Sequence, residues 1–91
     1  MRLFELDAGR IEGLGRASAN ALRAFEQLRQ RPVTGIPELS ERAGVAFQTA
    51  ARAVDALERL GIVREVTGRK RDRVYAYQQY LTILNEGPEP L

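Results

Sequence analysis

The sequence predicts a mainly α-helical domain that carries one small β-hairpin, and three observations lead to this prediction. Apolar residues recur at helical spacing over several stretches of the chain. Two β-branched and aromatic runs, "IVREV" and "RVYAY", flank a polar loop that contains glycine, which is the signal of a hairpin. The length of 91 residues suits one small domain.

The first third of the chain predicts two helices separated by a break. Apolar side chains recur at roughly helical spacing in residues 2–14, namely Leu3, Leu6, Ile11 and Leu14 with Phe4 beside them. Because glycine costs about 1 kcal/mol in a helix interior, we expect a break near Gly13 to Gly15. A second helix follows from Arg16, with one apolar face formed by Ala21, Leu22, Phe25 and Leu28. Pro32 ends it.

The next stretch, "VTGIPELSERAG", predicts a short extended piece and a short helix. Val33 and Thr34 form the extended piece, and Gly35 is an acceptable helix cap with Pro37 in the first turn. Glu38 follows three residues after the cap, from where its carboxylate can reach back to free backbone amides. Gly44 ends this helix in a left-handed turn.

A further amphipathic helix is predicted within "VAFQTAARAVDALERLG", after a turn that contains Gly44 and Val45, and Gly61 closes it. Its apolar side comprises Ala50, Ala53, Val54, Leu57 and Leu60. Its polar side comprises Gln48, Arg52, Asp55 and Arg59. The hairpin follows, and "QQYLTILN" forms a last helical turn or two.

This order of elements predicts a winged helix-turn-helix with an N-terminal helical extension. We assign residues 1–15 to the extension, residues 16–85 to the winged helix domain and residues 86–91 to a flexible tail. The small side chains of Ala50 and Ala53 allow the two helices of the motif to approach closely.

Composition excludes several classes of function. The chain has no cysteine and no histidine, so thiol chemistry, disulfides and the commonest general base and metal ligand are ruled out. The remaining polar residues show no catalytic spacing, and we therefore expect no enzyme activity, no cofactor and no metal site. No apolar run approaches 18 residues, which predicts no contact with a membrane, and the lack of cysteine makes a reducing cytoplasm the expected location.

Positive charge is concentrated in one part of the chain. The formal net charge is only +2, but residues 59–73 carry six cations against Glu65 and Asp72. The densest cluster lies at the predicted hairpin tip, in "VTGRKRDRV", and consists of Arg69, Lys70, Arg71 and Arg73. A local cationic surface of this kind is typical of a domain that binds a polyanion.

Double-stranded DNA is the partner that this pattern favours. In a helix-turn-helix, the N-terminal part of the second helix meets base edges in the major groove. Here that part comprises Phe47, Gln48, Ala51 and Arg52, where Gln48 suits adenine and Arg52 suits guanine. Thr49, Arg59 and the four cations of the wing would then contact phosphates.

Other interpretations of the same residues stay open. The polar side of the second helix also fits a solvated face, and Asp55 within it would repel phosphates. The cations of the wing could simply keep a hairpin tip soluble. Ala46 stands where a Ser or Thr would cap the second helix. Tyr75, Tyr77 and Tyr80 fit packing better than base stacking.

Three segments carry a family resemblance that extends over nearly the whole chain. They are "RIEGLGRASANALRAFEQL", "LGIVREVTGR" and "RVYAYQQYLTILNEG". They resemble the C-terminal region of Fic (filamentation induced by cAMP) family proteins. The resemblance implies a longer parent that transfers AMP from ATP to a protein hydroxyl through a histidine-containing loop of the form HPFxxGNGR. This chain contains no histidine, so no catalytic residue can be assigned from the family.

A protein–protein interaction module is the alternative function. Apolar residues at both ends of the chain exceed what so small a core needs, and they are Leu3, Phe4, Leu6, Ile11, Leu14, Tyr80, Leu81, Ile83 and Leu84. The partner would be the catalytic domain of the parent or a second copy in a homodimer. A symmetric dimer could place two recognition helices in successive major grooves.

Overall fold

The computed structural model describes residues 2–86. Within that range it contains five helices and three short strands. The helices are α1 (Arg2–Glu12), α2 (Ser18–Gln30), α3 (Ile36–Ala43), α4 (Phe47–Arg59) and α5 (Gln78–Glu86). The strands are β1 (Val33–Gly35), β2 (Arg64–Glu65) and β3 (Val74–Ala76). The tail predicted for residues 86–91 lies outside the described residues, except for residue 86, which ends α5.

The predicted break between the first two helices is confirmed. α1 ends at Glu12, and a short 3-10 helix at Gly15–Ala17 leads into α2. Gly15 adopts φ 71°, a left-handed conformation that glycine reaches at little cost. α2 ends at Gln30, where Arg31 turns into extended backbone (φ −133°, ψ 94°) just before Pro32.

The turn between α3 and α4 also follows the prediction. Gly44 has φ 70°, and its amide donates to the carbonyls of the last helical turn of α3. The amide of Val45 donates to the carbonyl of Ser40 at 3.1 Å, and the hydroxyl of Ser40 donates back to the carbonyl of Val45 at 2.6 Å. These two bonds fix the direction in which α4 leaves the turn. At the other end of α3, Gly35 is the N-cap, as predicted.

The three strands form one antiparallel sheet in the order β1-β3-β2. The predicted hairpin supplies β2 and β3, although both strands are shorter than the apolar runs suggested. Val33 of β1 and Arg64 of β2 both pair with Ala76 of β3, on its two opposite edges. The predicted extended piece at Val33 therefore completes the sheet, and it ties α3 to the base of the hairpin.

One hydrophobic core joins the helices to the sheet. Residues from every helix contribute, as do Tyr75 and Tyr77, which follow the prediction that the tyrosines pack. α1 belongs to this core, since Ile11 is completely buried and Phe4 contacts the rings of Phe25, Tyr77 and Tyr80. The ring of Tyr80 is the nearest of these, with centroids 4.9 Å apart and an edge-to-face geometry.

A buried polar network crosses this core between α1 and the sheet. Asp7 is 2% exposed, and its Oδ2 accepts a 2.6 Å hydrogen bond from the hydroxyl of Tyr77. Its Oδ1 lies 3.2 Å from one guanidinium nitrogen of Arg10. The other terminal nitrogen of Arg10 donates to the carbonyl of Leu60 at the end of α4. Burial, together with the hydrogen bond and the negative charge of Asp7, raises the pKa of Tyr77 above its ordinary value.

Candidate functional site

The exposed face of α4 carries the polar residues that the sequence placed there. Gln48, Arg52, Asp55 and Arg59 are all exposed, whereas Ala50, Ala53, Val54 and Leu57 are buried. Asp55 pairs with Arg59, with oxygen and nitrogen 3.0 Å apart, and both side chains are exposed. Arg52 has no carboxylate partner among the described residues. Its guanidinium donors are therefore available to a ligand.

The first turn of α4 lies beside the wing. Ala46 is the N-cap and provides no side-chain hydrogen bond, so the amides of this turn lack the cap that Ser or Thr would supply. Phe47 is 54% exposed, which is unusual for a large aromatic side chain in so small a domain. A groove of about 380 Å³ separates this ring from Lys70, Arg71 and Arg73. We call it the helix–wing groove.

Glu65 orders the wing loop, defined as residues 66–73. Its carboxylate accepts a hydrogen bond from the hydroxyl of Thr67 and bonds from the amides of Thr67 (2.8 Å) and Gly68 (2.9 Å). The hydrogen bond from the hydroxyl of Thr67 is the main cause that lowers the pKa of Glu65. The loop closes where Nε of Arg73 donates to the carbonyl of Arg69 at 2.6 Å. The wing is thus held by one acid and the backbone, and its cationic tips project outward.

The cations of the wing are divided between two grooves. Lys70 and Arg71 line the helix–wing groove, whereas Arg69 lines a second groove of about 530 Å³ on the side of β1. Arg73 lines both. We call the second one the arginine groove, because its charged lining consists of Arg31, Arg42, Arg69 and Arg73 with Glu38 and Asp72. The sequence predicted a single cluster of Arg69, Lys70, Arg71 and Arg73 at the hairpin tip.

Thr49 and Arg52 line a different cavity from the cations of the wing. They line a small pocket of about 140 Å³ together with Ala17, Asn20 and Ala53, where α2 begins. Arg59 lies in the last turn of α4 and lines none of these three cavities. The structure thus brings Phe47 and three wing cations together, and it leaves Arg59 apart from them.

Arg31 and Arg42 are binding candidates that the sequence analysis missed. Arg31 follows α2 and had no role beyond its favourable position at the C-terminal end of that helix. Arg42 is in the last turn of α3, four residues after Glu38. Helical spacing alone shows that Glu38 and Arg42 share a face. That this face meets the wing depends on the pairing of β1 with β3, which the sequence did not predict.

The cationic side chains on these surfaces have the chemistry that an anionic ligand requires. Guanidinium groups present several donors in a plane that matches phosphate oxygens. Among residues 2–86, no cluster of three His, Cys, Asp or Glu side chains could hold a metal ion. In the same part of the chain, none of the helices has the length and apolarity needed to cross a bilayer.

The apolar ends of the chain are more buried than the interaction hypothesis assumed. Ile11 is completely buried, and Leu3, Phe4, Leu14 and Tyr80 pack against the core. Leu6, Ile83 and Leu84 remain exposed, at 58%, 39% and 50%. The surplus of apolar surface is therefore smaller than expected, and most of what remains is on α5.

Comparison with known proteins identifies no relative. No family model matches the chain, and neither a curated protein nor a solved structure is significantly similar to it.

Proposed function

We propose that this chain is a winged helix DNA-binding module in which α4 is the recognition helix. The observation that carries the proposal is that the exposed Phe47, in the first turn of α4, lines the helix–wing groove together with Lys70, Arg71 and Arg73. A helix that enters the major groove needs flanking cations that reach the neighbouring phosphates. The order of helices and the β1-β3-β2 sheet support the winged helix assignment.

The residues of the site then divide by role. Gln48 and Arg52 read base edges, as the usual pairings with adenine and guanine suggest. Lys70, Arg71 and Arg73 neutralise phosphates and add affinity that depends little on sequence. Phe47 supplies an apolar contact to a base edge, and a thymine methyl is the group that suits it. The carboxylate of Asp55 would repel phosphates less than an isolated charge, because it pairs with Arg59.

The parent protein is proposed on the resemblance alone. On that basis the module is the C-terminal domain of a Fic-like protein, whose catalytic domain would transfer AMP to protein hydroxyls. This chain itself would position or regulate that domain, for it contains no histidine to form the catalytic loop.

Fluorescence anisotropy of a labelled random-sequence duplex tests DNA binding. We expect affinity to fall steeply between 50 and 200 mM NaCl. Replacing Arg69, Lys70, Arg71 and Arg73 by Gln should lower the slope of log K against log[salt] by about 3.6 if all four contact phosphates. Arg2→Gln/Arg23→Gln is the control, since these two arginines line neither groove. A wild-type protein that does not bind at 50 mM NaCl would refute the proposal.

Ile83 and Leu84 favour a second candidate function, a protein–protein interaction module. Both are exposed on α5, and a partner that covers them would remove apolar surface from water. The partner is the catalytic domain of the parent or a second copy of the chain. Light scattering at rising protein concentration tests the homodimer, and we expect Ile83→Ser/Leu84→Ser to abolish any dimer that forms. A monomer at millimolar concentration would exclude self-association.

A further inference from the structure

We propose that the arginine groove is a second DNA contact, in which Arg31 and Arg42 hold phosphates of the strand that passes the wing. This inference rests on the function proposed above. The groove lies between β1, α3 and the base of the wing, and its charged lining is four arginines against Glu38 and Asp72. Its formal charge is therefore +2, in a domain whose total is also +2.

The groove arginines are not occupied by other partners in the described part of the chain. The ion pairs found there join Arg10 to Asp7, Arg29 to Glu26 and Arg59 to Asp55. Within residues 2–86, none of the groove arginines is within 4.0 Å of a carboxylate oxygen. Arg73 uses only its Nε to bind a carbonyl, and its two terminal nitrogens remain free to donate. An excess of positive charge whose members form no ion pair favours a polyanionic ligand.

The shape of the site indicates an extended strand as the ligand. The arginine groove and the helix–wing groove share Pro37, Asp72 and Arg73, so the two grooves are adjacent at the base of the wing. A strand that follows both would pass from Phe47, at the start of α4, to Arg31 and Arg42. Four of the residues that line the arginine groove are arginines, which suits an anionic ligand. A phosphodiester backbone fits such a path.

The test compares Arg31→Gln/Arg42→Gln with Arg2→Gln/Arg23→Gln, a control of equal charge change. The probe is the labelled random-sequence duplex. Loss of two phosphate contacts should lower the salt slope by about 1.8. Raising NaCl from 50 to 200 mM would then weaken binding about twelvefold less in the groove variant than in the wild type. The control should keep the wild-type slope.

A gain of binding provides a second test, which does not depend on the arginine variants being stable. Glu38→Gln/Asp72→Asn removes the acids of the groove and keeps the side-chain shapes. Asn tolerates the left-handed backbone of Asp72, where φ is 53°. We expect affinity at 50 mM NaCl to rise about fivefold, since two screened repulsions disappear.

The outcomes separate this inference from the proposed function. Suppose that the wild type binds DNA and that the wing substitutions weaken this binding. An unchanged salt slope in the arginine variant, with no gain of affinity in the acid variant, would then overturn only the proposed contact in the arginine groove. Absence of wild-type binding at 50 mM NaCl would overturn both. A lower slope in the arginine variant, with a melting temperature equal to that of the control, would establish the second contact.

Discussion

Tyr77→Phe should destabilise the protein strongly, although it removes a single oxygen atom. The hydroxyl donates to Asp7 at 2.6 Å, and neither residue is more than 2% exposed. A buried hydrogen bond to a charged group contributes about 1.5–3 kcal/mol. Without it, the carboxylate keeps its ion pair with Arg10 at 3.2 Å but loses the donor on its second oxygen. For a domain of this size, a loss of about 2 kcal/mol lowers the melting temperature by about 8–16 °C.

Thermal unfolding followed by circular dichroism measures this effect, with Tyr80→Phe as the control. Tyr80 undergoes the same chemical change, but it is only partly buried, and its hydroxyl has no hydrogen-bond partner among the described residues. We expect the control to melt within about 2 °C of the wild type, in the range of a near-neutral substitution. Equal melting of the two variants would refute the assignment of Asp7 as the partner that matters.

The raised pKa of Tyr77 adds a pH dependence to the same experiment. In the unfolded chain this tyrosine ionises near pH 10, whereas the folded protein keeps it neutral at that pH. Its stabilising contribution is therefore complete below pH 10 and is lost as the pH rises further. The free energy of unfolding should fall by about 1.4 kcal/mol per pH unit above pH 10 because of Tyr77. The Tyr77→Phe variant should not show this part of the decrease. An identical alkaline profile for both proteins would contradict the shift.

Three further predictions concern the backbone and the wing. In urea unfolding, Gly9→Ala should stabilise the protein by about 0.5–1 kcal/mol, because Gly9 is within α1 and has open space around it. Gly44→Ala should destabilise the protein by about 1–2 kcal/mol, because Gly44 has φ 70°. Effects of the same sign would be inconsistent with these backbone preferences. Glu65→Ala should speed hydrogen exchange at the amides of Thr67 and Gly68, which donate to this carboxylate. In the wild type the same acceleration should appear as the pH falls through the lowered pKa of Glu65, once intrinsic exchange rates have been corrected for. Unchanged protection would show that the loop is ordered without this carboxylate. Replacing the four wing cations by Glu should abolish DNA binding but preserve solubility, whereas a wing that serves only solubility would leave binding unaffected.

Local signals in the sequence determined most of the helical architecture. The break at Gly13 to Gly15, the end of α2 before Pro32 and the left-handed Gly44 follow from single residues whose backbone preferences are strong. The buried face of α4 likewise follows from helical periodicity. These features could be predicted because they depend on contacts within a few residues along the chain.

The features that the sequence did not reveal depend on contacts distant in the chain. The hydrogen bond between Asp7 and Tyr77 joins residues 70 positions apart. Asp7 has the spacing of an inward position on α1, but carboxylates are seldom fully buried, so the sequence predicts a surface residue there. The arginine groove similarly requires the pairing of Val33 with Ala76. Three-residue strands carry too little alternation to specify such a pairing in advance.

Among the described residues, Arg73 is the one wing cation whose side chain helps to hold the loop, through the bond from its Nε to the carbonyl of Arg69. The loop is held by Glu65 and by backbone bonds, and among the described residues Lys70 and Arg71 form no ion pair. Clustered like charges on a loop repel one another, so the stability of the fold does not explain their presence. Solubility needs charge of either sign, whereas phosphate contact needs positive charge alone. The proposed phosphate contact therefore matches both the sign and the position of these cations, three of which line a groove with Phe47 at the start of α4.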